Sequence, residues 1–396
     1  MKLAAPIALL CVFGLGICFS LVGAVKLDLA KELGISDVKV GGLISALMFT
    51  SLIVILLIGP LVDRFGHKPL AILGFFASAA CIFVIAYAQS YTMALVACIL
   101  LGVGAMCLNT VGNTLIPRVL FGGQNPPAAL NLGNVAYGVG AFVTPLIVGL
   151  LVRKIGYSPA VNVIAVVVLL PILLAILGRD YPEVSTGFSA KQAAKLLASG
   201  AALVGGLALF CYISLEATMG GFITTYLTGE SVAVKAETAP YILSAFWIAL
   251  MVARLIASRL VTPARGVATI AALAAVSAAA LGLMMVVTAP ALGCIAVIIA
   301  GFAFGPIFPT IVGVTFGKFD PMVHGSVFGL IFAIGLLGGT TIPVAFGALI
   351  QRSPQTALLL LAGLAVLLIV FGLAMGAVRG TLAPAAKEEA QELPSE

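Results

Sequence analysis

The stretch Gly59-Pro-Leu-Val-Asp-Arg-Phe-Gly-His-Lys68 places one acid, three potentially basic side chains and a turn glycine between two long apolar runs. Gly66 supplies the backbone freedom that a tight reversal needs, and Arg64 and Lys68 are charges of the kind kept on the cytoplasmic face of a membrane. Asp63 is an acid at a helix end in an otherwise basic loop, so we expect it to have a partner on a neighbouring helix. The stretch therefore predicts a cytoplasmic loop between two membrane helices. Its gating candidates are Gly59, Asp63, Arg64, Gly66 and Lys68.

The composition of the whole chain also indicates a membrane protein. Hydrophobic residues make up 62% of it and charged residues only 9%, far outside the range of soluble domains. In hydrocarbon each backbone polar group must be satisfied within the spanning element, and the apolar runs are longer than the ~10 residues of a barrel strand. The predicted fold class is therefore an all-α membrane protein within the lipid bilayer.

Twelve apolar runs are long enough to cross a membrane core of about 30 Å. They are predicted at 5–25, 41–61, 69–88, 92–116, 129–152, 159–178, 200–228, 239–260, 265–288, 290–316, 324–350 and 354–378. Twelve spans place both termini on one side. With that side cytoplasmic, the flanking segments carry twelve Lys and Arg residues inside and seven outside. We therefore expect a multi-pass protein of a bacterial inner membrane with both termini in the cytoplasm.

An internal repeat indicates two related halves. Gly140, Pro145 and Gly149 of the fifth span recur in the eleventh at an offset of 198 residues. The recurring positions are Gly338, Pro343 and Gly347, and Arg153 and Arg352 follow the two sets. Proteins built from repeated bundles place interrupted helices at such matching positions. Because glycine is abundant in membrane helices, chance is the competing explanation.

The repeat and a polar stretch in mid-chain predict the domain organisation. We expect six-helix bundles at 1–180 and 200–378, a cytoplasmic linker at 181–199 and a disordered cytoplasmic tail at 379–396. Within the linker, Ser189 can cap a short surface helix whose Lys191 and Lys195 face the headgroups.

Glu216 lies near the middle of the seventh predicted span. An unpaired carboxylate at that depth costs at least ~2.5 kcal/mol on insertion scales, so we expect it to be protonated or partnered, as a proton-binding site is. Tyr212 and Gly220 lie one turn away on either side and leave a hydroxyl and an open space beside the carboxyl group. A structural hydrogen bond to a neighbouring helix is the alternative role.

The eighth predicted span carries a second buried charge. Ser244, Trp247, Met251 and Arg254 form one stripe at helical spacing. Trp247 lies too deep for the headgroup belt, so we expect its ring to line a cavity and to stack on a sugar ring or an apolar ligand. Arg254 is close to the cytoplasmic end, which predicts a gating or structural role through snorkelling or bonds to helix-end carbonyls.

Uncharged polar stripes mark the first half. Asn109 and Asn113 share a face of the fourth span, and Asn131, Asn134 and Tyr137 share a face of the fifth. Amides facing lipid are costly, so these stripes should face protein or a water-filled path, where amides suit a hydroxylated solute. Helix-to-helix bonding is the competing explanation, above all for Asn131. The predicted substrate-binding residues are Asn109, Asn113, Asn134, Tyr137, Tyr212, Glu216 and Trp247.

The loop around Asp63 resembles the signature loop of the major facilitator superfamily of transporters. Four further segments resemble the fucose, glucose and galactose symporter family within it. These are Leu108-Asn-Thr-Val-Gly-Asn113, Leu130-Asn-Leu-Gly-Asn134, Tyr212-Ile-Ser-Leu-Glu216 and Gly301-Phe-Ala-Phe-Gly-Pro-Ile-Phe-Pro309. The resemblance implies two pseudo-symmetric six-helix bundles that carry a small polar solute, in the first place a sugar, by alternating access with a proton or sodium ion.

Two positions depart from that family, whose proton-coupled fucose member has an acid in the first span and another in the fourth. Gly23 and Asn109 stand at the corresponding positions here. Proton binding by Glu216, sodium coupling and passive uniport therefore stay open. Export of drugs or other amphiphilic compounds in exchange for protons is the main rival, with Glu216 as counter-ion to a cationic substrate.

Other classes of function find little support in the sequence. It contains no H-E-x-x-H, G-x-S-x-G or phosphate-binding glycine loop, and His67 and His324 are predicted in loops without acidic metal-ligand neighbours. We expect no enzyme, metal or cofactor. The net charge of +6 is spread over many loops, which suits anionic headgroups and not nucleic acid. We expect a monomer. Channel-like function and lipid movement through a lateral groove stay alternatives.

Overall fold

The computed structural model describes residues 3–35, 37–182, 199–229, 232–235, 238–350 and 353–379. The regular structure of these residues is helical, and twelve segments are long and apolar enough to cross a membrane. The first five spans are the helices Ala4–Ala24, Asp37–Phe65, His67–Ala86, Tyr91–Val119 and Pro126–Ile155, with a short helix Lys26–Leu33 after the first. The sixth joins Tyr157–Leu169 to Pro171–Leu177. The seventh to ninth are Gly200–Thr228, Ala239–Leu260 and Gly266–Val286. The tenth joins Pro290–Phe304 to Ile307–Phe316, and the last two are His324–Ile350 and Pro354–Ala377.

The twelve predicted spans agree with the observed helices to within a few residues at each end. The observed helices run slightly longer where a polar residue caps them before the apolar run begins. The fifth span begins at Pro126 because the Asn125 side chain accepts a hydrogen bond from the Ala128 backbone N–H, 3.2 Å away. Ser90 caps the fourth span in the same way through the N–H of Met93.

The two halves repeat the same helix packing. Gly140 brings the fifth span against the first, where a Cβ atom would lie 2.1 Å from the Phe13 carbonyl oxygen. Gly338 brings the eleventh against the seventh, where a Cβ atom would lie 2.5 Å from the Phe210 carbonyl oxygen. Matching glycines thus support matching close approaches, and the fold is two pseudo-symmetric six-helix bundles.

One part of the repeat prediction is wrong. The helices that contain Pro145 and Pro343 are continuous, whereas the spans interrupted within the membrane are the sixth, before Pro171, and the tenth, at Gly305 and Pro306. Arg352, the linker residues Ser189, Lys191 and Lys195, and the tail beyond 379 lie outside the described residues.

The halves meet at one end of the bundle. We call the end at which the first span begins and the twelfth finishes the termini end, and the opposite one the far end. In the fifth span the buried residues cluster between 127 and 134, and in the eleventh between 324 and 338, both toward the termini end. Close contacts between halves join Gly313 to Pro127 and Gly138 to Met251. The halves therefore touch at the termini end and separate toward the far end.

Candidate functional site

The break in the tenth span leaves a backbone carbonyl without a hydrogen-bond partner in its own helix. In a continuous helix the Gly305 carbonyl would accept a hydrogen bond from the N–H of residue 309, but proline stands there and has none. Gly305 also has no room for a side chain, since a Cβ atom would lie 2.3 Å from the Leu250 carbonyl oxygen of the eighth span. The sequence therefore presents an open acceptor directly against the eighth span.

Arg254 of the eighth span binds this acceptor. Its Nε donates to the Gly305 carbonyl at 2.8 Å, and one terminal nitrogen donates to the Asn134 carbonyl of the other half at 3.2 Å. The second terminal nitrogen lies 3.5 Å from both the Glu216 carboxylate and the Tyr212 hydroxyl oxygen. Arg254 is 3% exposed and Glu216 21%. A buried guanidinium with an acid and several carbonyls as partners satisfies the condition for keeping a charge at this depth.

A cavity of about 380 Å³ lies directly beyond Arg254 on the far-end side. The predicted stripe of the eighth span forms one wall, and the fifth and first spans form the other. Its lining includes Phe19, Ser20, Tyr137, Phe142, Pro145, Ser244, Trp247, Ile248, Met251 and Arg254. The cavity is large enough for a small organic solute, and it combines hydroxyl groups and one cation with a mainly apolar wall.

Trp247 lines the cavity, as its depth in the span predicts. The open space that was predicted at Gly220 of the seventh span is filled by this tryptophan. The space that Gly220 leaves beside Glu216 is not open: a Cβ atom on Gly220 would lie 2.8 Å from the indole Cζ2 of Trp247. Phe246 holds the other side of the indole edge to face, with ring centroids 5.2 Å apart. The glycine thus serves to seat the only tryptophan of the chain.

The asparagines of the first half lie beneath the cavity and not in its wall. Asn113 Nδ2 donates to Asn109 Oδ1 at 2.8 Å, and Asn134 Nδ2 donates to Asn113 Oδ1 at 3.0 Å. Asn109 and Asn113 are at most 1% exposed and Asn134 is 4% exposed. In this conformation the helix-bonding alternative describes these amides, which tie the fourth span to the fifth.

Asn131 bonds the fifth span to the tenth and so connects the two halves. This is the helix-to-helix bonding that the sequence analysis gives as its alternative role. Its Nδ2 lies 3.1 Å from the Thr310 hydroxyl oxygen of the tenth span and 2.9 Å from the Pro127 carbonyl oxygen. Gly313 lies one turn below, and a Cβ atom there would approach Pro127 to 2.6 Å. The fifth and tenth spans are therefore closed against each other at the termini end.

The partner expected for Asp63 is the start of the eleventh span in the other half. Its carboxylate accepts hydrogen bonds from the backbone N–H of Gly325 at 2.8 Å and of Ser326 at 2.7 Å, and a third from the Ser326 hydroxyl at 2.6 Å. These N–H groups belong to the first turn of the helix, which lacks internal acceptors and carries partial positive charge. A carboxylate from one half thus caps a helix of the other.

Two glycines allow this contact. A Cβ atom on Gly59 would lie 2.3 Å from the Gly325 carbonyl oxygen, and one on Gly325 would lie 2.4 Å from the Gly59 carbonyl oxygen. Gly66 ends the second span at φ 81°, which favours glycine. The backbones of the second and eleventh spans therefore touch at this point.

The basic residues of the loop do not join this contact. Arg64 is exposed, and its guanidinium lies over the Phe65 ring 5.4 Å from the centroid. Lys68 stays within its own half, where its Nζ donates to the Gly178 carbonyl at 3.0 Å. Of the charged side chains predicted to gate from this loop, Asp63 alone bonds across the halves within the described part of the chain.

Both histidines were expected in loops, and this prediction is wrong. Each begins a helix and is buried, with His67 at 4% exposure and His324 at 5%. His67 Nε2 lies 3.1 Å from the Thr114 hydroxyl oxygen. The His324 ring stacks on Phe316, with centroids 4.1 Å apart. Each of these contacts lies within one half of the molecule. The reversal before His67 consists of Gly66 alone, and His324 directly follows the short helix Pro321–Val323, so neither histidine lies in an open loop.

Several residues of the site were not found by sequence reasoning. Ser326 and Thr310 bond across the halves but carry no charge to mark them within a span. Phe142 and Ser20 line the cavity through positions that only the packing of three helices defines. The open Gly305 carbonyl did have a signal, which was Pro309 four residues later.

Comparisons with known proteins agree with this architecture. The family model described as Major Facilitator Superfamily matches residues 8–343. A structure of the transporter FucP in the outward conformation is 20% identical with a TM-score of 0.78, covering 93% of this chain and 98% of that one. A point variant of the E. coli fucose:proton symporter FucP is 20% identical with a TM-score of 0.77, and the match covers 95% of this chain and 99% of that one.

A more distant solved structure is the human organic anion transporter MFSD10 (TETRAN). It is 16% identical with a TM-score of 0.71, covering 93% of this chain and 99% of that one. At such identities these structures share the fold alone. No curated protein sequence matches the chain.

Proposed function

The chain belongs to the Major Facilitator Superfamily, and on that premise we propose that it moves a small polar solute, in the first place a sugar, by alternating access coupled to a proton or sodium ion. It is an integral, multi-pass membrane protein and a transporter by family. A bacterial inner membrane, cytoplasmic termini and a monomeric state are part of the proposal. With the termini inside, the conformation described above is open to the outside.

The observation that carries this proposal is the cavity between the halves with Arg254 at its floor. Tyr137 and Ser20 bring hydroxyl groups to its first-half wall, and the indole of Trp247 offers a flat apolar face on the other. Aromatic faces pack against the C–H faces of sugar rings, while hydroxyl and guanidinium groups bond their oxygens. The Trp247 wall can thus hold the sugar ring, and Arg254 at the floor can orient it.

Arg254 and Glu216 supply a means of coupling. With Glu216 ionised, Arg254 has an acid in its own half and a carbonyl of Asn134 in the other. Protonation of Glu216 removes the charge that faces Arg254, so the guanidinium becomes free to strengthen its bond to the first half or to a solute oxygen. Binding of a proton in one half would then alter the contact between halves, which alternating access requires.

The hydrogen bonds between Asp63 and the start of the eleventh span hold the halves together at the closed end. We call this contact the latch. The asparagine chain beneath the cavity is proposed to reach the solute only when that end opens. Asn109, Asn113 and Asn134 would then exchange their mutual hydrogen bonds for bonds to solute hydroxyl groups, so that the same amides seal one state and bind in the other.

A second candidate is export of amphiphilic organic compounds. The mainly apolar lining, with Phe19, Phe142 and Ile248, favours it. Arg254 at the floor would disfavour a cationic compound and suit a neutral or anionic one, and the structurally similar MFSD10 is described as an organic anion transporter. This candidate predicts transport out of cells and not accumulation.

A screen followed by transport measurements separates the candidates. Purified protein is first tested for thermal stabilisation by sugars, organic anions and amphiphilic cations. Vesicles containing the protein are then given a radiolabelled form of the compound that stabilised it, with and without a proton or sodium gradient. We expect saturable sugar uptake that one gradient drives. Stabilisation by amphiphiles alone, with no sugar uptake, would replace the first candidate by the second.

Glu216→Gln tests the coupling role. The amide keeps the shape of the carboxyl group but cannot bind or release a proton, so concentrative uptake should fall by about tenfold or more while exchange of labelled for unlabelled solute persists. Uptake against a gradient with an unchanged pH profile would remove Glu216 as the proton carrier.

A further inference from the structure

Within the described part of the chain, the residues that line the cavity come from three spans: the first, the fifth and the eighth. The first and fifth belong to one half and the eighth to the other. The cavity therefore lies off the centre of the bundle, at the seam where the fifth and eighth spans face each other.

Two contacts close it at the termini end. Met251 packs on Gly138, where a Cβ atom would lie 2.4 Å from the Met251 sulfur, and Arg254 bonds the Asn134 carbonyl one turn below. One turn nearer the far end, Phe142 and Ile248 occupy the corresponding positions. Both line the cavity, yet Phe142 is 54% exposed and Ile248 49%. The two helices thus diverge above the Met251 contact.

Phe142 and Ile248 also belong to the outer surface. On the fifth span Phe142 continues the exposed apolar stripe of Val139 and Leu146, which are 42% and 48% exposed. On the eighth span Ile248 continues the exposed stripe of Val252, which is 45% exposed. The same two side chains therefore border both the cavity and the apolar surface that faces lipid, so the two surfaces are continuous.

The depth of this opening decides what can fill it. Phe142 lies near the middle of Pro126–Ile155, and Ile248 lies near the middle of Ala239–Leu260. Outward-facing positions in the middle of a spanning helix lie at the depth of the hydrocarbon core, where acyl chains surround the protein. The rim of the opening is apolar, as contact with such a chain requires.

We propose that the cavity opens sideways into the hydrocarbon between the fifth and eighth spans, and that an acyl chain of a bilayer phospholipid enters this opening and lies against Trp247. The proposal goes beyond the transport function and does not depend on its substrate. An acyl chain at this point would dry the outer wall of the cavity and complete its apolar face.

The single tryptophan of the chain makes this measurable without a label. The protein is placed in vesicles of phosphatidylcholine with bromine atoms at mid-chain, and its fluorescence is compared with that in unbrominated vesicles. Bromine quenches indole only near contact, so we expect Trp247 to lose about half or more of its emission, because hydrocarbon reaches the indole. The variant Trp247→Phe/Val252→Trp, with its indole on the lipid-facing surface, gives the full quenching for comparison.

Two matched substitutions test the route. Ile248→Phe fills the opening and should reduce quenching of Trp247 by about twofold or more, because a larger ring blocks the gap. Ile256→Phe adds the same volume two turns along, at a position 42% exposed, and should leave quenching unchanged. Equal quenching in these two variants would overturn the proposal. So would a Trp247 that aqueous iodide quenches and brominated chains do not.

Discussion

At the scale of single residues, Arg254 and Asp63 show how this chain keeps charges inside a membrane. Each is buried, and each binds groups that the backbone of another helix leaves without partners. Arg254 takes the carbonyl that Pro309 leaves open, and Asp63 takes the N–H groups at the start of the eleventh span. The charge and the backbone defect compensate for each other, which explains why both are tolerated.

Gly220 gives the first prediction at this scale. In Gly220→Ala the new methyl group would meet the indole of Trp247 at 2.8 Å and push it into the cavity, whereas the neighbouring Gly221→Ala meets nothing within 4 Å. Overpacking of this kind typically costs ~1–3 kcal/mol, so we expect the first variant to weaken solute binding by about tenfold. The emission of Trp247 should shift in that variant, while Gly221→Ala should match the wild type. Equal affinities in both variants would show that the indole does not contact the solute.

The second prediction concerns Asp63 and its hydrogen bonds to the eleventh span. In Asp63→Asn the charge that caps the eleventh span is lost, and hydrogen bonds to a charged group are worth ~1.5–3 kcal/mol, so the closed end should form less readily and the step that restores it in each cycle should slow. We expect turnover to slow by about tenfold with equilibrium affinity largely intact, measured by vesicle uptake and binding. Asp180→Asn is the control, because Asp180 also accepts hydrogen bonds from backbone N–H groups at a helix start, those of Leu3 and Ala4, and these lie in its own half. A loss of affinity alone, with normal turnover, would count against the latch.

At the scale of elements, the tenth span is the helix whose irregularity has the most consequences. Its break frees the Gly305 carbonyl, and its glycines let the eighth span approach closely enough for Arg254 to reach it. A regular helix at this position would leave the guanidinium without its shortest hydrogen bond.

Pro309→Ala tests that dependence. Alanine restores an N–H that can bond the Gly305 carbonyl within the helix and so competes with Arg254. We expect transport to fall by about tenfold with little change in melting temperature, since one hydrogen bond replaces another. Pro354→Ala at the exposed start of the twelfth span is the control and should transport normally. Normal transport by both variants would mean that the open carbonyl is dispensable.

The elements themselves could be predicted from the sequence almost completely. Length and apolarity determine a membrane span, because nothing but a helix satisfies its own backbone in hydrocarbon. The breaks were placed wrongly at Pro145 and Pro343, where packing keeps the helices continuous. A proline removes one hydrogen bond, and whether the helix then bends or breaks depends on neighbours that the sequence does not specify.

At the scale of the whole molecule, the site could be predicted only in part. The stripe of the eighth span and the partner of Asp63 followed from helical spacing and from the cost of an isolated charge. The asparagines did not follow, because an amide that bonds a neighbouring helix and an amide that faces a cavity have the same spacing. Only the relative position of the halves separates those two roles, and that position changes in alternating access.

Distances between the halves test this view most directly. Spin labels at Ile155 and Tyr241 report on the far end, and labels at Phe65 and Met322 report on the termini end; all four side chains are exposed. In lipid vesicles, addition of a transported solute with its coupling ion should shorten the first distance and lengthen the second. Two distances that stay fixed, or that lengthen together, while the solute is bound and carried would contradict alternating access about the Arg254 cavity.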